Sequence, residues 1–282
     1  MKLILGTAQF GHGYGIKNNF RKIKIDKILK ILDHSQKKGI KYLDTAISYN
    51  FINRIKSKYN FSGFKIINKI SYKDTLNLND LKKSLLEDLK NLKIDKYFCL
   101  HLHQPFLYKD KELKKIYNFL NELKNQKIIE NLGLSIYNPD QYFLYSKNFK
   151  PDIIQSPLNV FDRRVISSGL NDHLIKIGVK LHIRSIFLQG LLLMNKKNNY
   201  FSKWNNKFIL LDHYANKNKL SKYQYLINFV KQQKNVDSII FGVDNINQLN
   251  KTMSSFKMPN VNIPAKLSVN DELIINPTNW KI

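Results

Sequence analysis

Eight short runs rich in β-branched and aromatic residues recur along this chain, and stretches with helical apolar spacing separate them. The runs are LILG (3–6), IKYLDT (40–45), FKIINKI (64–70), KYFCLHLH (96–103), NLGLS (131–135), DIIQS (152–156), VKLHIRS (179–185) and SIIFG (238–242). Each is short enough for a strand and bounded by polar or turn-forming residues. Between them, apolar side chains fall three or four apart: Ile25, Ile28, Leu29 and Leu32; Leu81, Leu85, Leu86 and Leu89; Leu113, Ile116, Tyr117, Leu120 and Leu123; Leu220, Tyr223, Ile227 and Val230. That spacing gives a helix one apolar stripe to lay on a sheet. Strand and helix therefore alternate, with no Gly/Pro/Ser-rich linker. The pattern predicts the α/β class and a (β/α)8 TIM barrel as a single domain over residues 1–282, with a C-terminal tail from about 256.

The competing architecture is a doubly wound open sheet. A dinucleotide-binding sheet of that kind wants GxGxxG after its first strand, and the GHGYG at 11–15 lacks the spacing. The lone Cys99 cannot form an internal disulfide, and its place inside YFCLHLH reads as a packed small hydrophobe. No apolar run approaches the roughly 18 residues of a membrane helix, and Leu3–Ile4–Leu5 is too short for a signal-peptide core, so a cytoplasmic protein without a membrane partner is expected. The formal charge is +26, from 47 Lys and Arg against 21 Asp and Glu. Such a field draws in anions of every kind. The excess is mostly scattered lysine, without an arginine-rich arm, zinc-ligand spacing or an aromatic-glycine RNA motif, which argues against a nucleic-acid partner and against a metal site.

Chemistry in a barrel sits at the carboxyl ends of the strands. The second run closes on Asp44, with Tyr49 in the following loop; the third closes near Lys69; the fourth closes on His103. Each has an ordinary structural role when taken singly. Together they make a proton-transfer set. An unperturbed phenol has a pKa near 10, so Tyr49 donates a proton at neutral pH only where a cation stabilises the phenolate. Lys69 is that cation, and a buried ammonium needs the counter-charge that Asp44 supplies. His103 can hydrogen-bond a substrate oxygen and fix its direction. The set suits protonation of a carbonyl oxygen as hydride arrives at carbon.

These residues with their flanks resemble the aldo-keto reductase superfamily. LILGTAQFG is similar to its first strand and turn, GIKYLDTAISYN to its second-strand signature, FKIINKI to the strand of its catalytic lysine, and CLHLHQP to its His-x-Pro ending. The resemblance runs from Leu3 to about Leu249. It implies Tyr49 as general acid, Lys69 and Asp44 as its tuning pair, and His103 as the carbonyl-orienting residue, with His101 one layer deeper. It further implies an extended nicotinamide cofactor across the barrel mouth, its carboxamide held by Ser135 and Gln155. Ile136 stands where an asparagine often follows the serine. Arg184 occupies the place of an aromatic that stacks on the nicotinamide; its guanidinium could stack likewise, or meet a phosphate or an acidic substrate. Ser185 and Leu188 to Gly190 would border the pyrophosphate. Gly242, Asp244, Asn245 and Gln248 lie where NADP-dependent relatives carry Lys or Arg, with Lys251 one turn later as a substitute; equally, Gly242 allows a close turn and Asn245 caps the last helix. NADP(H) is favoured by the resemblance, while Asp244 leaves NAD(H) open. The connection from Met194 to about Leu220 is long enough for a lid over cofactor or substrate, the alternative being that its aromatics Tyr200, Phe201, Trp204 and Tyr214 merely pack it down.

The expected function is NAD(P)H-dependent reduction of an aldehyde, ketone or sugar carbonyl, the positive field suiting an anionic substrate. The alternatives are a non-catalytic nucleotide-binding regulatory barrel and a cofactor-retaining elimination or epimerisation of a sugar.

Overall fold

The computed structural model of the protein describes residues 1–11, 15–16 and 22–282. Eight parallel strands close in sequence order: β1 (Lys2–Gly6), β2 (Tyr42–Asp44), β3 (Lys65–Ile70), β4 (Tyr97–His103), β5 (Ile129–Ser135), β6 (Ile153–Pro157), β7 (Lys180–Arg184) and β8 (Ser238–Gly242), which pairs back onto β1. With helices alternating between them, this is a (β/α)8 barrel. Each of the eight runs falls on one strand, β1 and β6 reaching one residue beyond theirs. β5 begins earlier than NLGLS suggests because Tyr97 of β4 pairs with Ile129 and extends the ladder. Of the loop sequence at 11–15, residues 12–14 lie outside the described residues.

Strand alternation fills the barrel in layers. Ile4, Ile67, Cys99, Ile153 and Ile240 form an apolar plug inside it. Cys99 is fully buried, and burial pushes its thiol well above the usual range, as befits a packed hydrophobe. Two residues further along β3, β4 and β6 stand Lys69, His101 and Gln155, with His182 of β7 opposite Gln155, all buried. The plug thus becomes a polar floor below the mouth.

The outer helices carry the stripes that the spacing predicts. Ile25–Lys37 buries Ile28, Ile31 and Leu32, and Asp110–Asn125 buries Leu113, Ile116, Leu120 and Leu123. Leu78–Leu92 starts at Asn77, whose side chain accepts from the backbone N–H of Asn79 and Asp80, and it buries Leu81, Leu85, Leu89 and Leu92. Leu86 departs from the expected stripe, at 44% exposed. It follows Leu85 by one residue, about 100° round the helix, and Leu92 takes its place on the packed face. Leu220 is buried just ahead of the helix Lys222–Lys231, whose N-cap is Ser221.

The connection after β7 is not an open lid. It folds into a 3-10 turn (Asn199–Trp204) and a helix (Asn205–Lys217), with Phe201 and Trp204 buried. The chain beyond the last barrel helix (Ile246–Phe256) clasps it: Tyr200 donates to the Leu273 and Asn279 carbonyls, and Phe201 meets Trp280 edge-on at 5.2 Å. Of the two readings of this connection, the structure shows the packed one: its aromatics are the anchors that hold it down. No helix among the described residues is long and apolar enough to cross a membrane.

Candidate active site

Asp44 is fixed by its backbone first, because Thr7 donates both its N–H (2.9 Å) and its hydroxyl (3.0 Å) to the Asp44 carbonyl. Its carboxylate faces inward and is nearly buried. One oxygen takes Lys69 Nζ at 2.5 Å; the other takes Gln155 Nε2 at 2.7 Å. Lys69 is itself 2% exposed and gives a second N–H to the Thr45 carbonyl at 3.0 Å. Burial draws the Lys69 ammonium down from its ordinary pKa, and the Asp44 carboxylate opposes that fall. Burial and ion pairing thus act in opposite directions on one buried ammonium.

Tyr49 closes the 3-10 turn Ile47–Tyr49, and left-handed Asn50 ends it at φ 53°. Two features hold this turn against the loop after β1. The Gly11 backbone lies on the Tyr49 carbonyl so closely that a Cβ there would fall 1.8 Å from that oxygen, and only glycine fits. Arg54, on the short helix Phe51–Ile55, donates to the carbonyls of Phe10, Gly11 and Ile23. The outcome is a tyrosine ring whose centroid lies 5.7 Å from Lys69 Nζ. Acid, ammonium and phenol are therefore gathered at one strand end.

His103 ends β4 opposite Ser135 of β5, and Ser135 sits opposite Gln155 of β6. Burial, then Lys69, then Arg184 push the His103 imidazole down to about 3, so it is neutral at pH 7 and carries one N–H. His101 lies deeper and fully buried, opposite Gly133, where a Cβ would strike its Nδ1 at 2.1 Å.

A cavity of about 460 Å³ opens above these groups, lined by Asp44, Tyr49, Gln155, Arg184, Ser185, Gly190, Gly242, Asp244 and Gln248 among others. Nine of the expected site residues are thereby brought to one space. Lys69 and Ser135 lie buried outside its lining, and His103 is half-buried at the mouth. Two expected contacts have other employment. Leu188 is buried in the core, and its N–H closes onto the Ser185 carbonyl, as the Gly190 N–H does onto Phe187. Asn245 caps the helix Ile246–Phe256 by accepting from the Gln248 N–H, and the Gln248 side chain bonds back to Asp244. The turn 185–190 is strained for a purpose of shape, with positive φ at Ser185, Leu188, Gln189 and Gly190.

The fit to a nicotinamide can be read from polar atoms. Ser135 Oγ and Gln155 Oε1 are buried and have no hydrogen-bond partner. A hydroxyl donor and an amide acceptor side by side are what a carboxamide requires, and leaving both unmet is costly. At the far end, Phe187 stacks on Tyr223 at 4.7 Å, Lys251 lies over that Tyr223 ring at 5.0 Å, and Lys222 joins the lining. Sequence reasoning overlooked Phe187, Lys222, Tyr223 and Gln9, the last filling the space that Gly242 leaves open. The close approaches at Gly11 and Gly242 join residues distant in the chain, which a single sequence does not carry. Among the described residues, no group of three or more His, Cys, Asp or Glu is placed to hold a metal ion.

The profile of the Aldo/keto reductase family matches residues 2–263. Among curated proteins, none matches the chain. Among solved structures, the fold is similar to a glycerol dehydrogenase of Gluconobacter oxydans, at 20% identity and a TM-score of 0.71, covering 98% of this chain and 93% of that one. It is also similar to the holo form of an aldo-keto reductase of Bacillus halodurans, at 18% identity and a TM-score of 0.70, covering 93% of this chain and 88% of that one.

Proposed function

The chain belongs to the aldo/keto reductase family and is an NAD(P)-linked oxidoreductase of CH–OH and C=O groups; from that premise we propose that it reduces an aldehyde, ketone or sugar carbonyl with Tyr49 as the general acid. The observation that carries this is the buried Asp44–Lys69 pair beside the Tyr49 ring, at the floor of the cavity.

Bound NAD(P)H supplies the hydride. The protein's own groups handle the oxygen and the proton. Tyr49 gives its phenolic proton to the carbonyl oxygen as negative charge builds there. Lys69 stabilises the phenolate left behind, and it stays protonated at depth because Asp44 lies 2.5 Å away. Gln155 holds the second Asp44 oxygen, so the carboxylate keeps its aim on Lys69. Neutral His103 donates its N–H to the same carbonyl oxygen and sets its direction. In the oxidative direction each proton moves the other way.

Ser135 and Gln155 would hold the carboxamide, by the unmet hydroxyl and amide oxygen noted above. The turn 185–190 would pass the pyrophosphate along. NADP(H) is favoured over NAD(H), because Lys222 and Lys251 line the far end of the cavity and supply the charge that the β8 turn lacks. Lys222 also pairs with Asp212 at 2.8 Å, which leaves Lys251 as the stronger determinant. Titration of the protein with NADPH and with NADH, followed by quenching of its fluorescence, tests the reading. Saturable binding, about tenfold tighter for NADPH, with turnover on a panel of aldehydes and sugar carbonyls, is expected. Failure of both cofactors to bind at near-millimolar concentration overturns it.

A further inference from the structure

Arg184 ends β7 and lines the cavity, yet the hydride-transfer scheme makes no use of its charge. Its guanidinium leans across to the end of β5. There it stacks on the Tyr137 ring at 4.4 Å and donates to the Ile136 carbonyl at 3.1 Å, while another N–H reaches Ser185 Oγ at 3.2 Å. The rest of its donor fork meets no protein acceptor among the described residues.

The platform beneath it is built. The Tyr137 carbonyl accepts from Arg164 at 3.0 Å, and Arg164 is clamped by buried Asp162 at 2.8 Å and by Glu272 of the C-terminal tail at 2.5 Å. Tyr137 is thus fixed from below, and Arg184 is held flat on it from above. The acids nearby have other partners: Asp44 takes Lys69 and Gln155, and Asp162 takes Arg164. Arg184 and Lys69 both bear electrostatically on His103, so two cations converge on the mouth of the barrel. A guanidinium this confined, and without a carboxylate of its own, calls for an anion from outside.

Within the cavity Arg184 leans to the end of β5, where it donates to the Ile136 carbonyl, whereas the cations given to the cofactor's far end, Lys222 and Lys251, stand on the helices Lys222–Lys231 and Ile246–Phe256. We propose that Arg184 binds an anionic group of the substrate, a carboxylate or a phosphate, and so selects carbonyl compounds that carry one. This rests on the reductase reading and narrows its substrate class. A planar fork suits either group in bidentate geometry, so lysine is an incomplete substitute.

Two matched pairs test it: 4-oxobutanoate against butanal, and glyceraldehyde 3-phosphate against glyceraldehyde, each with NADPH. The wild type is expected to favour the anionic member of at least one pair by about tenfold to a hundredfold in kcat/KM, expressed mainly in KM. The pair that shows the preference identifies carboxylate or phosphate as the group recognised. Arg184→Met abolishes the preference, and Arg184→Lys retains part of it. If neither pair turns over, calorimetric binding of 4-oxobutanoate and of glyceraldehyde 3-phosphate to the enzyme with NADP bound decides in the same way. NADPH binding with equal use of both members, or a preference that survives in Arg184→Met, overturns the inference while the reductase reading stands. Absence of any NADPH or NADH binding overturns the reading and the inference with it.

Discussion

Lys69→Met isolates the buried ion pair. Lys69 and Asp44 are 2% and 7% exposed at the side chain, so the substitution leaves a carboxylate in the barrel floor with Gln155 as its remaining side-chain donor. Removing one partner of a buried pair costs about 3–5 kcal/mol, a large share of the roughly 5–15 kcal/mol that holds a domain folded. The urea midpoint should fall by about 1 M or more. The double variant Lys69→Met/Asp44→Leu behaves differently. It removes both charges, so it recovers most of that loss, apart from about 1–3 kcal/mol for stranding the Gln155 amide. Equilibrium unfolding in urea on wild type, both single variants and the double variant yields the coupling energy directly. All three variants lose carbonyl turnover. A Lys69→Met protein as stable as wild type, or a double variant no more stable than Lys69→Met, would refute the view that the two charges hold each other in place.

Acid should weaken the fold through its buried histidines. The His182 imidazole is pushed by burial, with help from Lys180, Lys2 and Lys69, to about 3, below its unfolded value near 6.5. The unfolded chain therefore binds more protons below pH 6.5, and the stability present above that pH is lost on descending towards pH 3, by about 2 kcal/mol at pH 5 from His182 alone. His101 and His103 act in the same direction. Urea midpoints at pH 8, 6.5 and 5 check this, and a flat profile contradicts it. Ser135→Ala removes a buried hydroxyl that has no partner in the protein, so the unfolding midpoint should hold or rise while cofactor affinity drops about 2–10-fold. A parallel loss of both would mean that Ser135 serves the fold instead. Gly11→Ala drives a methyl into the Tyr49 carbonyl, so turnover should fall by at least about tenfold in a protein with wild-type circular dichroism. Unchanged turnover contradicts the packing of that turn.

Much of this molecule is legible in its residues because a barrel is periodic. Strands alternate with helices at two distinct spacings, and the polar strand ends Asp44, Lys69, His103, Ser135 and Gln155 stand out against apolar runs. What was not legible lies in irregular backbone. Leu188 reads as a cavity residue until its side chain is seen in the core, whereas the helix cap at Asn245 is one of the two roles its residue type suggests. The length of the connection after β7 leaves a lid open because the tail that pins its aromatics is more than sixty residues further on. The Arg184–Tyr137–Arg164–Glu272 chain joins the end of β7, the loop after β5, a short helix after β6 and the tail, a separation no local pattern encodes.

Tyr49→Phe tests the central claim most directly, because it removes one oxygen from a ring packed at the Lys69–Asp44 pair. NADPH affinity and turnover are measured on the same preparation. The account predicts a dissociation constant within about threefold of wild type and a turnover lower by about 10²–10⁴-fold. A variant that still turns over within about tenfold of wild type would contradict it.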